Sequence, residues 1–155
     1  MSKPIPVHVE MDQFEVKDNQ VLVGGHSLDT IANILGKDVF YAYDKNIVKQ
    51  QIDKFHKHIP SCIKLHYAIK ANPYLPLVNA MKDWVEGFDV ASKKEMVMAI
   101  QSGMPTHDIS FAGPSKQIEE IRAAVAVGVT LHVESELELD RAIEIGKEKF
   151  HRRTG

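Results

Sequence analysis

The sequence predicts an α/β fold built on a parallel sheet, and three observations carry the prediction. Strand-like and helix-like segments alternate from residue 39 onward, the connections between them are short, and a residue suited to a strand-to-helix turn recurs at near-constant spacing. Lys70, Ser92, Gly113 and Ser135 each follow a predicted strand, at intervals of 22, 21 and 22 residues. In a parallel sheet the C-terminal strand ends share one face, where side chains converge on a ligand. A leucine-rich solenoid has a similar period, but its repeated Leu and Asn positions are missing from this chain.

The first 36 residues follow a different pattern. Ile5, Val7, Val9 and Met11 recur every second residue, and the segments Phe14 to Val16 and Gln20 to Val23 flank the turn-forming pair Asp18-Asn19, which predicts short strands and a hairpin. Ser27 signals a helix start, Ile31, Ile34 and Leu35 give that helix an apolar face, and Gly36 stops it. A boundary is expected at Gly36 to Asp38, dividing residues 1–36 from residues 37–155.

Val39 to Tyr43 reads as a strand, and Asp44 as the cap of a helix whose apolar face is Val48, Ile52, Phe55 and Ile59, ended by Pro60. Ile63 to Ile69 is the next strand, followed by a helix over Leu75 to Val85. The strand Phe88 to Ala91, the helix Lys93 to Ser102, the strand Ile109 to Ala112 and a helix from Pro114 to Val127 come next. The strand Val129 to Val133 and a helix from Ser135 to Lys149 complete the series.

Composition narrows the function. With 155 residues, 44% of them hydrophobic and 26% charged, the chain can bury one core. Its 19 basic and 21 acidic residues are mixed along the chain for a net charge of -2, so no basic footprint for nucleic acid or an anionic membrane exists. Cys62 is the single cysteine, and residues 1–14 alternate polar with apolar where a secretory signal needs a continuous apolar stretch. A cytoplasmic protein acting on a small molecule is expected. No metal is expected: the histidines show no HExxH or Cys/His set, and His56 and His58 point to different faces of a helix. His66 and His132, in strands, are expected to be packed.

Four segments carry a resemblance. Leu65 to Pro73 reads LHYAIKANP, Phe88 to Glu95 reads FDVASKKE, Ile109 to Lys116 reads ISFAGPSK and Val133 to Leu139 reads VESELEL. In order, spacing and chemistry they resemble the fold type III pyridoxal-phosphate decarboxylases of diaminopimelate, ornithine and related amino acids. The resemblance implies the first half of an alanine-racemase-like (β/α)₈ barrel, preceded by short strands that belong with a C-terminal β-domain. It implies pyridoxal 5'-phosphate as cofactor, Lys70 as its carrier, and a homodimer for the whole enzyme. A closed barrel takes about 250 residues, so this chain is expected to stop before the fifth barrel strand and to be inactive alone.

Each implied residue also has a plain structural reading. Lys70 is either a solvated lysine or an amine that condenses with an aldehyde, a role helped by partial burial at a strand end. The resemblance selects the second. It also implies that Asp89 and Glu95 modulate proton traffic near Lys70, and that Ala68, Asp89, Gly113 and Ser135 join Lys70 around the cofactor. Asp89, in an apolar strand, needs a partner, and Lys70 is the natural one. Glu95 with Ser92, and Glu138 with Ser135, also have capping-box spacing, which leaves a purely structural role open for Glu95 and favours one for Ser135. Gly113-Pro114 is a sharp turn that would approach a ligand by its backbone.

The resemblance favours diaminopimelate as substrate because of Ala-Asn-Pro after Lys70, with ornithine, lysine and arginine as alternatives. A racemase or cofactor carrier on the same barrel, and a non-catalytic relative of the decarboxylases, are the competing readings.

Overall fold

The computed structural model describes residues 12–151, so the expected strand over Ile5 to Met11 lies outside the described residues. The chain forms two compact units, one ending at Lys57 and the other beginning at His58; the boundary expected at Gly36 to Asp38 falls inside the first. No described helix is long and apolar enough to cross a membrane.

The first unit is a small meander with two helices. Strands β1 (Val16–Lys17), β2 (Gln20–Val23) and β3 (His26–Ser27) pair antiparallel in that order. Asp18 and Asn19, both at positive φ, make the first two-residue turn. Gly24 and Gly25 make the second, at φ of 60° and 79°, a backbone that costs glycine little. Helix α1 (Leu28–Leu35) begins where Ser27 Oγ accepts the Thr30 amide, as its sequence predicts. Helix α2 (Lys45–His58) begins at Asp44, whose Oδ1 accepts the Asn46 and Ile47 amides at 2.8 and 3.3 Å, and it buries Ile52.

Between α1 and α2 the expected strand Val39 to Tyr43 does not form. It has no ladder partner among the described strands, and Val39 and Tyr41 are 86% and 92% exposed. β propensity expresses fit to a paired, half-buried surface, and without a neighbouring ladder these side chains have nothing to pack on.

The second unit is a four-stranded parallel sheet with helices. β4 (His66–Ala68), β5 (Gly87–Val90), β6 (Ile109–Phe111) and β7 (Thr130–Leu131) pair in sequence order, joined through α3 (Leu75–Met81), α4 (Lys93–Gln101) and α5 (Ile118–Val127), with α6 (Glu136–His151) after β7. This is the partial barrel expected from the sequence; the four strands do not close on themselves. Alternation along the strands sorts the side chains. Phe88 and Val90 on β5, and Ile109 and Phe111 on β6, are fully buried with Val78, Met96, Ala99, Ile121 and Ala124 of the helices. Tyr67 meets Phe88 edge-on, with ring centroids 6.2 Å apart.

Helix α5 starts four residues later than Pro114 suggests. Gln117 and Glu120 form a capping box that sets the true start, while Pro114 and Ser115 belong to a turn in which the Lys116 amine folds back onto the Gly113 carbonyl.

Candidate active site

Register builds the site. Ala68 pairs with Asp89, Asp89 with Ser110, and Ser110 with Thr130, so the four share one row across the sheet. Because Phe88, Val90, Ile109 and Phe111 face the helices, this row faces the other way. There the sheet lines an open concavity of about 410 Å³, into which His66, Asp89, His107, Ser110, Thr130 and His132 bring polar groups among a largely apolar lining that includes Ala112.

Asp89 is half-buried, and its Oδ1 accepts the Ser110 hydroxyl at 2.9 Å. The partner expected for it was Lys70. The correction follows from register, since the residue directly across from Asp89 on β6 is Ser110, and on β4 it is Ala68. Ala68, half-buried, thus stands beside the carboxylate and two residues before the lysine.

Lys70 departs from its expected setting in two ways. It sits in a 3₁₀ turn, Ile69–Ala71, and its side chain is exposed, with no hydrogen bond or ion pair among the described residues. The strand ends early because the Asn72 amide turns back to the Ile69 carbonyl at 3.1 Å. β4, which leads into this turn, is the sheet's edge strand. Its backbone is nonetheless well fixed. Ile69 is fully buried, Tyr67 Oη donates to the Asn72 carbonyl at 3.0 Å, and Asn72 Oδ1 accepts the Tyr74 amide at 3.0 Å.

Glu95 makes helix-cap contacts. Its Oε2 accepts the Ala91 amide at 2.8 Å, while Ser92 Oγ accepts the Glu95 amide at 3.3 Å. Ser135 likewise caps α6, accepting the Glu138 amide at 3.2 Å. The Gly113 amide donates to Glu134 Oε1 at 2.5 Å.

The structure adds residues on this face, and one beside it, that local sequence pattern does not single out. Ser110 and Thr130 alternate with buried apolar residues, a period-two signal that places them opposite the core. His66 and His132, expected to be packed, are exposed and line the concavity. Lys116, in the turn after β6, is the residue beside it. Its amine is buried against Glu138 Oε2 at 3.1 Å and Glu134 Oε1 at 3.9 Å, and donates to the Gly113 carbonyl. Burial pushes the Glu138 carboxyl up, but the Glu134 amide and the Lys116 ammonium outweigh it and hold the group below its ordinary value.

Residues 45–150 match the family described as pyridoxal-dependent decarboxylase, pyridoxal binding domain. The chain belongs to the pyridoxal-dependent decarboxylases. Within this family it is 37% identical over 102 residues to a 2-[(L-alanin-3-ylcarbamoyl)methyl]-2-hydroxybutanedioate decarboxylase of Staphylococcus aureus, covering 65% of this chain and 25% of the relative. It is 32% identical over 132 residues to a diaminopimelate decarboxylase of Aquifex aeolicus, covering 84% and 31%. The crystal structure of a diaminopimelate decarboxylase from M. jannaschii superposes with a TM-score of 0.76 at 25% identity, covering 88% of this chain and 33% of that one. The chain therefore spans a quarter to a third of the length of these decarboxylases.

The residues present fit one end of the family's cofactor. An accessible amine follows β4 for an aldehyde, and a carboxylate on the neighbouring strand suits a cationic nitrogen. The Gly113 amide is hydrogen-bonded to Glu134 Oε1.

Proposed function

We propose that this chain supplies the lysine-bearing part of a pyridoxal-phosphate-dependent amino-acid decarboxylase, with Lys70 holding the cofactor's aldehyde carbon and Asp89 facing the positive charge that develops beside it. Diaminopimelate is the favoured substrate. Its support is the Ala-Asn-Pro run after Lys70 together with the diaminopimelate decarboxylases among the relatives. Ornithine, lysine and arginine follow, and the whole enzyme is a cytoplasmic homodimer.

The register between Ala68 and Asp89 carries the reading. It sends a fixed turn bearing an amine, and a half-buried carboxylate, from adjacent parallel strands at the edge where α/β enzymes keep their chemistry. Bound pyridoxal phosphate supplies an electron sink for the pair left behind when carbon dioxide departs. The chain's own work is local. The Tyr67 and Asn72 hydrogen bonds fix where the lysine stem begins, and Ser110 fixes the rotamer of Asp89.

The test has two parts. Pyridoxal phosphate and borohydride should leave a pyridoxyl group on Lys70, located by peptide mass spectrometry, and K70A should abolish that label without moving it to Lys64 or Lys82. In the whole enzyme, carbon dioxide should be released from diaminopimelate ahead of ornithine, lysine, arginine and the conjugate named for the S. aureus relative. Labelling spread evenly over surface lysines would overturn the assignment.

A further inference from the structure

We infer that Ser110 is a positioning residue for Asp89, holding one carboxylate oxygen so that the other is presented to the ligand in a single orientation. This rests on the decarboxylase reading for what the ligand is, but the link between the two residues stands on geometry alone.

Ser110 is the direct cross-strand neighbour of Asp89 in a parallel pair. Its hydroxyl lies 2.9 Å from Asp89 Oδ1 and 3.4 Å from the Phe88 carbonyl, so the carboxylate is the closer acceptor and the carbonyl is a backstop. A hydroxyl donates one proton, and given to a carboxylate it forms the stronger, charge-assisted bond. No other hydrogen bond or ion pair engages Asp89 among the described residues. An aspartate in a strand has a broad χ2 well, and without this contact the carboxylate would sample both orientations.

The serine is also spare in every other respect. The same face carries Ala68 to one side of Asp89 and Thr130 to the other side of Ser110, and the core is filled from the opposite face. Valine or isoleucine, as at neighbouring strand positions, would satisfy the sheet equally well. What a hydroxyl adds here is a proton aimed at Asp89.

The experiment is a double-mutant cycle over Asp89 and Ser110, read in two ways. In the first, the dependence of Lys70 labelling on pyridoxal phosphate concentration is measured for the wild type, S110A, S110T, D89A and the double variant. S110A should weaken apparent binding about tenfold, the loss expected for a hydrogen bond to a charged group. S110T keeps the hydroxyl and should restore it. In the D89A background, removing the hydroxyl should change nothing. An equal loss from S110A with and without Asp89 would overturn the inference.

The second reading is the urea midpoint of the same five proteins without cofactor. Coupled shifts support the link, and strictly additive shifts sink it. Should the wild type take no label at Lys70, the decarboxylase reading fails by that result, while the urea cycle still decides whether Ser110 holds Asp89.

Discussion

Lys116 Nζ lies 3.1 Å from Glu138 Oε2, and both side chains are withdrawn from solvent, at 1% and 5% exposure. The pair closes a ring of contacts between two loops. The Lys116 amine also donates to the Gly113 carbonyl, Glu138 Oε2 accepts the Glu134 amide at 3.0 Å, and Glu134 Oε1 accepts the Gly113 amide. The turns after β6 and β7 are thereby locked to one another. Breaking a buried pair from one side strands a charge, so K116M should destabilise the second unit by about 3–5 kcal/mol. Replacing both partners, as in K116M/E138L, should recover part of that loss, because apolar groups of similar volume carry no desolvation penalty. Urea denaturation of the three proteins measures both effects. A double variant less stable than K116M would contradict the account.

Glu138 also sets a pH dependence. Its folded pKa is held below the unfolded value by the Glu134 amide and Lys116 against the opposing effect of burial, so its contribution is present at neutral pH and is lost as pH falls through the folded pKa. E138Q should therefore be less stable than the wild type at pH 7, and the gap should narrow as pH falls through the lowered folded pKa and the wild-type carboxylate is protonated. Paired urea midpoints from pH 7 down to pH 3 give the comparison. A gap that does not change with pH would remove the charge from the explanation.

The parts of this fold legible in the sequence are those fixed within a few residues. Ser27, Ser92 and Ser135 were readable as helix caps because the amides they accept lie three residues on. The alternation of strands and helices was readable for the same reason. What was not legible depends on register. Ser110 lies 21 residues from Asp89, and nothing local marks it as the partner in preference to Lys70. Lys116 carries the ordinary mark of a surface residue and is buried only because Glu134 and Glu138 arrive from the next strand-helix unit. Val39 to Tyr43 shows the converse, a segment with strand propensity and no neighbour to pair with.

In the first unit, Asp44 ties a turn to a helix. Its Oδ2 accepts the Gly24 amide at 2.8 Å while Oδ1 caps α2. Burial pushes this carboxyl up, but the amides of Gly24, Asn46 and Ile47 outweigh it and the net is downward. D44A should cost about 1–2 kcal/mol, at the upper end for a cap because the Gly24 contact is lost as well. Amide hydrogen exchange should quicken at Gly24, Asn46 and Ile47 together. D44S, which can cap but is too short to reach both sites, should protect Asn46 and Ile47 and leave Gly24 exchanging fast.

Gly87 opens β5 at a point where a neighbouring backbone leaves no room. A Cβ there would lie 2.5 Å from His66 Cε1 and 2.6 Å from His66 Nε2, and it would also collide with the Asp108 carbonyl oxygen. The imidazole sits on an exposed side chain that can swing aside, whereas the carbonyl belongs to the turn that leads into β6 and cannot. G87A should therefore force the β5 and β6 strands apart at their start and cost about 1–3 kcal/mol, as overpacking does elsewhere. H66A should not rescue it, since the carbonyl clash remains. Because Asp89 and Ser110 lie two residues further along the same two strands, the displacement should reach them, and the Asp89–Ser110 coupling measured by the double-mutant cycle should shrink in the G87A background. Full rescue of G87A by H66A would show that the imidazole alone sets the limit at this position.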